Sequence, residues 1–131
     1  MINKNNKIKV KTTLQKRVVP ELRKRGFKGS FPHFRRVNGD SIELITFQFN
    51  KWGTGDFVIE IAKCHNDVLK TSWGEFVSPE RINAQHLDRR LRLGALNEGS
   101  DHWFKYSVFS SNFRRIIKLL DTQALKWWRA G

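Results

Sequence analysis

Apolar residues recur at helical spacing near both ends of the chain and at alternating spacing between. At about 100° per residue, Leu14, Val18 and Leu22 share one side of a helix with Val19 adjoining, and Lys16, Arg17, Arg23 and Lys24 take the other. Thr12 or Thr13 is the expected cap, and Gly26 the expected stop after Arg25. Pro20 removes a backbone donor inside this pattern, which predicts a kink or a helix in two pieces. The stretch ahead of it, residues 1–11, reads as a flexible basic arm, and residues 12–131 as a single domain. The second helical pattern is Phe113, Ile116, Ile117, Leu120, Ala124, Trp127 and Trp128, capped by Ser111 or Asn112. Arg114, Arg115, Lys118, Lys126 and Arg129 lie on its opposite side.

Between the helices the period falls to two. Phe27 to Val37 reads as extended, Asn38-Gly39-Asp40 as a hairpin turn, and Ser41 to Phe49 as a strand. Lys51 to Asp56 is a second turn, followed by a strand from Phe57 to Ala62 with Phe57, Ile59 and Ile61 on one face. Residues 63–85 read as a long loop with one helical turn opening at Ser78-Pro79. Leu87 to Leu93 alternates, with Leu87, Arg89, Leu91 and Leu93 on one face and Asp88, Arg90 and Arg92 on the other. The expected fold is α+β: about four antiparallel strands, with an N-terminal and a C-terminal amphipathic helix on one face.

Composition sharpens this outline. At 131 residues with ten Phe and five Trp, the chain is long enough for one packed core. It carries 25 Lys and Arg against 12 Asp and Glu, a formal charge of +13. Twelve of those cations and only one acid, Glu21, fall in residues 1–36, so the excess belongs to the first quarter. Such a surface attracts an acidic partner, whether protein or nucleic acid. A single cysteine, Cys64, excludes an internal disulfide framework and points to a reducing, cytoplasmic compartment. No apolar run long enough for a transmembrane helix and no secretory signal is found, so no membrane partner is expected.

No catalytic signature is present. The Gly53-Thr54-Gly55 stretch lacks the helix and the Gly-Lys-Ser/Thr of a phosphate loop, and no Gly-x-Ser-x-Gly elbow occurs. His33, His65, His86 and His102 are scattered without ligand spacing, so no metal and no cofactor is expected. Asp101-His102 reads as closing a loop, since no nucleophile accompanies it. The candidate partner-binding residues are therefore cations and loop aromatics: Arg23, Lys24, Lys28, Arg35, Arg36, Trp52, Trp73, Arg90 and Arg92. Arg90 and Arg92 share a strand face and suit phosphate or carboxylate, or alternatively ion pairs with neighbours. Trp52 and Trp73 suit stacking on bases or anchoring a protein. Trp103 and Phe104 read as plugs at one end of the core, and Trp127 and Trp128 as core.

In order along the chain come Gly26-Phe27-Lys28, Phe34-Arg35-Arg36, a strand with Gln48, Arg90-Leu91-Arg92-Leu93-Gly94 and Asp101-His102-Trp103-Phe104. This succession resembles the bacterial family called domain of unknown function 4304, over about residues 12–125. The resemblance implies an α+β, non-enzymatic bacterial domain and carries over no catalytic residue. The function expected is protein binding, with an immunity protein that neutralises a toxin as one form of it. The alternative is nucleic-acid binding through the basic N-terminal arm and helix with the loop tryptophans.

Overall fold

The computed structural model describes residues 5–106 and 109–130. Its first helix, α1, runs from Asn5 to Arg17, and α2 from Val19 to Lys24. The expected arm is thus corrected over residues 5–11: the helix begins ahead of Thr12, and Thr13 donates its hydroxyl to the Lys9 carbonyl from inside it. The reason is Val10, which extends the Leu14–Val18 stripe back by one turn and is fully buried. Residues 1–4 lie outside the described residues. Pro20 divides the helix in two as expected, sitting in the first turn of α2, where a missing N–H costs no helical bond. Gly26 adopts φ +88°, and the Phe27 amide reaches back to the Leu22 carbonyl, which closes α2 sharply.

Five strands follow in one antiparallel sheet of order β1-β2-β3-β4-β7. These are β1 (Lys28–Ser30), β2 (His33–Asn38), β3 (Ser41–Phe49), β4 (Phe57–His65) and β7 (Leu91–Arg92). A cis Phe31–Pro32 peptide joins β1 to β2. The expected loop at 63–85 instead continues β4 to His65, then forms a small hairpin, β5 (Leu69–Lys70) with β6 (Phe76–Val77). Short 3₁₀ turns at Pro79–Arg81 and Ala84–His86 complete this excursion. The expected strand from Leu87 shrinks to Leu91–Arg92, because the alternation does not survive the chain's turn before Arg90. Leu87 packs with one cluster and Leu91 and Leu93 with the other, while Arg89 points out and forks onto Glu98.

Two apolar clusters sandwich the sheet. On one face, Phe34, Ile45, Phe47, Phe57, Ile59 and Ile61 meet Val10 and Leu14 from α1, Val18 at the junction, Leu22 from α2, and Ile116, Leu120, Ala124 and Trp128 from the C-terminal helix. On the other, Ile42, Leu44 and Ala62 meet Val77, Ile82 and Ala84 from the excursion. This is why β3 and β4 are almost continuously buried rather than alternating: both faces are covered.

The C-terminal helix is α3 (Phe109–Leu119), a π-helical turn (Leu120–Ala124) and α4 (Leu125–Arg129). Asn112 does not cap it. Its amide lies inside α3 and donates to the Lys105 carbonyl, tying the preceding loop to the helix. Within the π turn, Gln123 accepts from the Gly94 amide and donates to the Ala95 carbonyl, pairing with the end of β7 like one more strand residue. Gly94 sits at φ +92°, and a Cβ there would lie 2.5 Å from the His102 ring, which itself stands edge-on to Phe104 at 5.0 Å. Gly94→Ala is expected to cost at least about 2 kcal/mol in urea unfolding. The double variant with His102→Ala recovers only the steric part; a single variant as stable as the wild type would contradict this.

Candidate functional site

The sequence candidates divide by what already holds them. Arg36 is structural: it donates to the buried Glu43 carboxylate at 2.8 Å and to the Arg25 carbonyl, and lies over Phe27 and Trp128. Arg23 donates to the Phe27 and Gly29 carbonyls, covering the open edge of β1, and stacks over Phe34. Arg35 donates to the Pro79 carbonyl and pins the excursion to the sheet. Lys24 pairs with Glu21 on the surface, and Lys28 is exposed on β1.

Arg90 and Arg92 do share a face, and what they grip is internal. Both engage Glu60, which is buried on β4 directly beside Arg92, and Arg92 also donates to Asp101 and lies over Trp103. With Asp88, Gly99 and Ser100 they line a polar cleft of about 220 Å³. Its three carboxylates outnumber its two guanidiniums, so the arginines are neutralised before any anion arrives. The pairing reading of Arg90 and Arg92 is the one this geometry favours. Phe104 plugs the core end, stacked on Phe57 at 5.3 Å, while Trp103 stays half-buried.

The two loop tryptophans are both exposed, Trp52 by 59% and Trp73 by 58%, but they lie in different surroundings. Trp52 shares a shallow pocket with Lys7 and Lys51 at the β3–β4 turn. Trp73 sits on the β5–β6 turn, its indole N–H donating to Glu75 and its ring beside His86. Burial and the neighbouring His86 push the half-buried His33 imidazole below its ordinary pKa. Burial likewise pushes the Cys64 thiol up, away from thiolate chemistry.

A further concavity lies where no single sequence motif pointed. Arg17 lies over the Phe113 ring at 5.3 Å, and Arg25 forks onto Asp121 at 2.7 Å. Both contacts keep the same offset along the chain, so the α1–α2 pair and the C-terminal helix run parallel in register. Between them is an open groove of about 780 Å³ lined by Arg17, Glu21, Ser111, Phe113, Arg114, Ile117 and Lys118. Glu21 is spent on Lys24 and Arg25, and their hydrogen bonds hold its carboxyl below the usual range. Arg25 does the same to Asp121, so both of these acids are already paired with cations.

Arg114 and Lys118 stand one turn apart on α3, facing Arg17 across the groove, while Lys9 and Lys16 are exposed on α1 outside its lining. Among the described residues, none of these cations has an acidic partner within ion-pair distance. The basic first quarter is therefore a folded helix surface from Asn5 to Lys24, extended by α3, and continues into the strands β1 and β2. All of these residues but Lys9, which fell in the expected arm, were visible in the sequence as the polar side of a helix. Their convergence was not, because it depends on two helices more than ninety residues apart packing side by side.

Among the described residues no group of His, Cys, Asp and Glu could hold a metal ion, and no helix is long and apolar enough to cross a membrane. No curated protein and no solved structure matches the chain. The residues behind the resemblance nonetheless occupy coherent places: Gly26-Phe27 closes α2, Arg36 holds Glu43, and Arg92 meets Asp101 while Gly94 meets His102. A family model described as Domain of unknown function (DUF4304) matches residues 18–130, and the chain belongs to that family.

Proposed function

We propose that this chain is a non-enzymatic binding domain for an acidic protein partner, engaged through the helical face formed by α1, α2 and α3. The observation that carries this reading is the contrast in charge pairing. Arg36, Arg90, Arg92 and Arg129 are matched to acids, whereas Arg17, Arg114 and Lys118 line one groove with no such match, and Lys9 and Lys16 are exposed elsewhere on α1. Unpaired cations on a rigid surface speed encounter with an acidic face and select against basic ones. An immunity role, in which that face belongs to a toxin, is the specific form of the proposal. A second reading, single-stranded nucleic acid, rests on Trp52 beside Lys7 and Lys51, an exposed ring among cations.

Affinity capture with the intact protein separates the two. The expected result is an acidic protein retained after nuclease treatment, released by raised salt, and lost with the variant Lys9→Glu/Lys16→Glu/Arg114→Glu/Lys118→Glu. These positions are exposed, so the variant is expected to keep its unfolding midpoint within a few degrees. Material that disappears on nuclease treatment would move the assignment to nucleic acid.

A further inference from the structure

We infer that the groove between α1–α2 and α3 seats an acidic amphipathic helix of the partner, with an apolar side chain lowered between Phe113 and Ile117. This rests on the proposed function and specifies its ligand. The walls of the groove repeat at helical pitch. Arg17 and Glu21 stand four apart on one side, Arg114 and Lys118 four apart on the other, and Phe113 and Ile117 four apart along the floor. A third helix presents its own side chains with the same period, so its ridges match this groove over successive turns.

Charge chooses among occupants. Arg17 stands on one wall and Arg114 on the other, and Lys118 continues the wall of α3 by one turn. Carboxylates one turn apart on an incoming helix meet this row. A basic or neutral helix meets repulsion or unmatched cations. Glu21 is held by Lys24 and Arg25, and Asp121 by Arg25, so the acids nearest the groove are already paired and leave its cations to the ligand. The floor distinguishes a helix from a simple polyanion. Phe113 is buried under the Arg17 guanidinium, and Ile117 one turn on is only half-buried, so an apolar group placed over Ile117 covers hydrocarbon that phosphates or poly-glutamate leave wet.

The test is fluorescence anisotropy with the full chain and four labelled probes. These are an acidic helical peptide of about five turns with a leucine stripe between glutamates, its scrambled isomer, poly-glutamate and single-stranded DNA. The expected order places the patterned peptide about tenfold or more tighter than its scramble. Arg114→Glu/Lys118→Glu is expected to remove binding of every acidic probe. Ile117→Gln, checked for an unchanged circular dichroism spectrum, is expected to erase the preference for the patterned peptide while leaving poly-glutamate unaffected. If the scramble or poly-glutamate binds equally well, the helix seat is overturned while an acidic protein partner still stands on the capture result. If DNA binds tighter than every peptide, the seat is overturned and the proposed function with it.

Discussion

Trp128→Ala is expected to remove most of the folding free energy of this domain. The indole is buried in the main core, packs on Phe27 at 5.5 Å and lies beneath Arg36. Its N–H donates to the Ala62 carbonyl on β4 at 3.0 Å, and its own carbonyl accepts from Lys63 on the same strand at 2.6 Å. One residue of α4 thus stitches the C-terminal helix to the sheet by packing and by two hydrogen bonds. Truncating a buried Trp costs about 3–5 kcal/mol, and leaving a buried carbonyl without its donor adds about 1–3 kcal/mol. Against a typical total of about 5–15 kcal/mol, such a loss takes half or more of the folding free energy. Trp128→Phe keeps most of the volume and isolates the hydrogen bond, so its cost is expected to be about 1–3 kcal/mol. Urea unfolding followed by circular dichroism reads both. An alanine variant losing less than the phenylalanine variant would show that α4 is not held in this way.

How much of this the chain announces depends on the range of the interaction. The β3 bounds, Ser41 and Phe49, follow from local alternation and turn chemistry, and so does the facing of Phe57, Ile59 and Ile61. The break at Pro20 and the stop at Gly26 are local too. Long-range packing overrides the rest. Asn112 is a good N-cap residue by propensity, but the Lys105 carbonyl recruits it from within α3. Leu87 to Leu93 alternates like a strand, but only Leu91 and Arg92 pair with β4, because the chain bends at Asp88 and Leu87 packs with the cluster on the other side of the sheet. The excursion after His65 carries too few apolar residues to display a period, and folds because Ile42, Leu44 and Ala62 offer them a surface. The site follows the same rule. Arg90 and Arg92 sharing a face was legible, whereas Glu60 as their common partner and the parallel helices that make the groove were not.

Arg36→Met is expected to be the most damaging loss of a charge, because it acts on an acid with no access to water. Glu43 is fully buried on β3 beneath the end of α4. Arg36 donates to one carboxylate oxygen at 2.8 Å and Arg129 to the other at 2.9 Å. Burial alone pushes this carboxyl up, but the hydrogen bonds from Arg129 and Arg36 outweigh it and hold the group below its ordinary value of 4.5. Methionine keeps the contact with Phe27 and Trp128 while removing the charge, so the expected cost of about 3–5 kcal/mol belongs to the broken pair. Arg129 is half exposed and approaches from the helix end, so Arg129→Met is expected to cost less. Replacing both partners of the pair, as in Arg36→Met/Glu43→Leu, is expected to be milder than Arg36→Met alone, since no buried charge is left unmatched. The sign of the pH dependence follows from the same bonds. A carboxyl depressed by folding contributes stability that is complete above its unfolded value of 4.5 and is lost as pH falls through the lower folded value. Wild-type stability is therefore expected to decline below that pH, and Glu43→Gln to show a shallower decline from a lower starting point. Chemical unfolding of the two proteins at neutral and acidic pH measures the difference, and parallel curves would assign the acid sensitivity to other carboxylates such as Asp121.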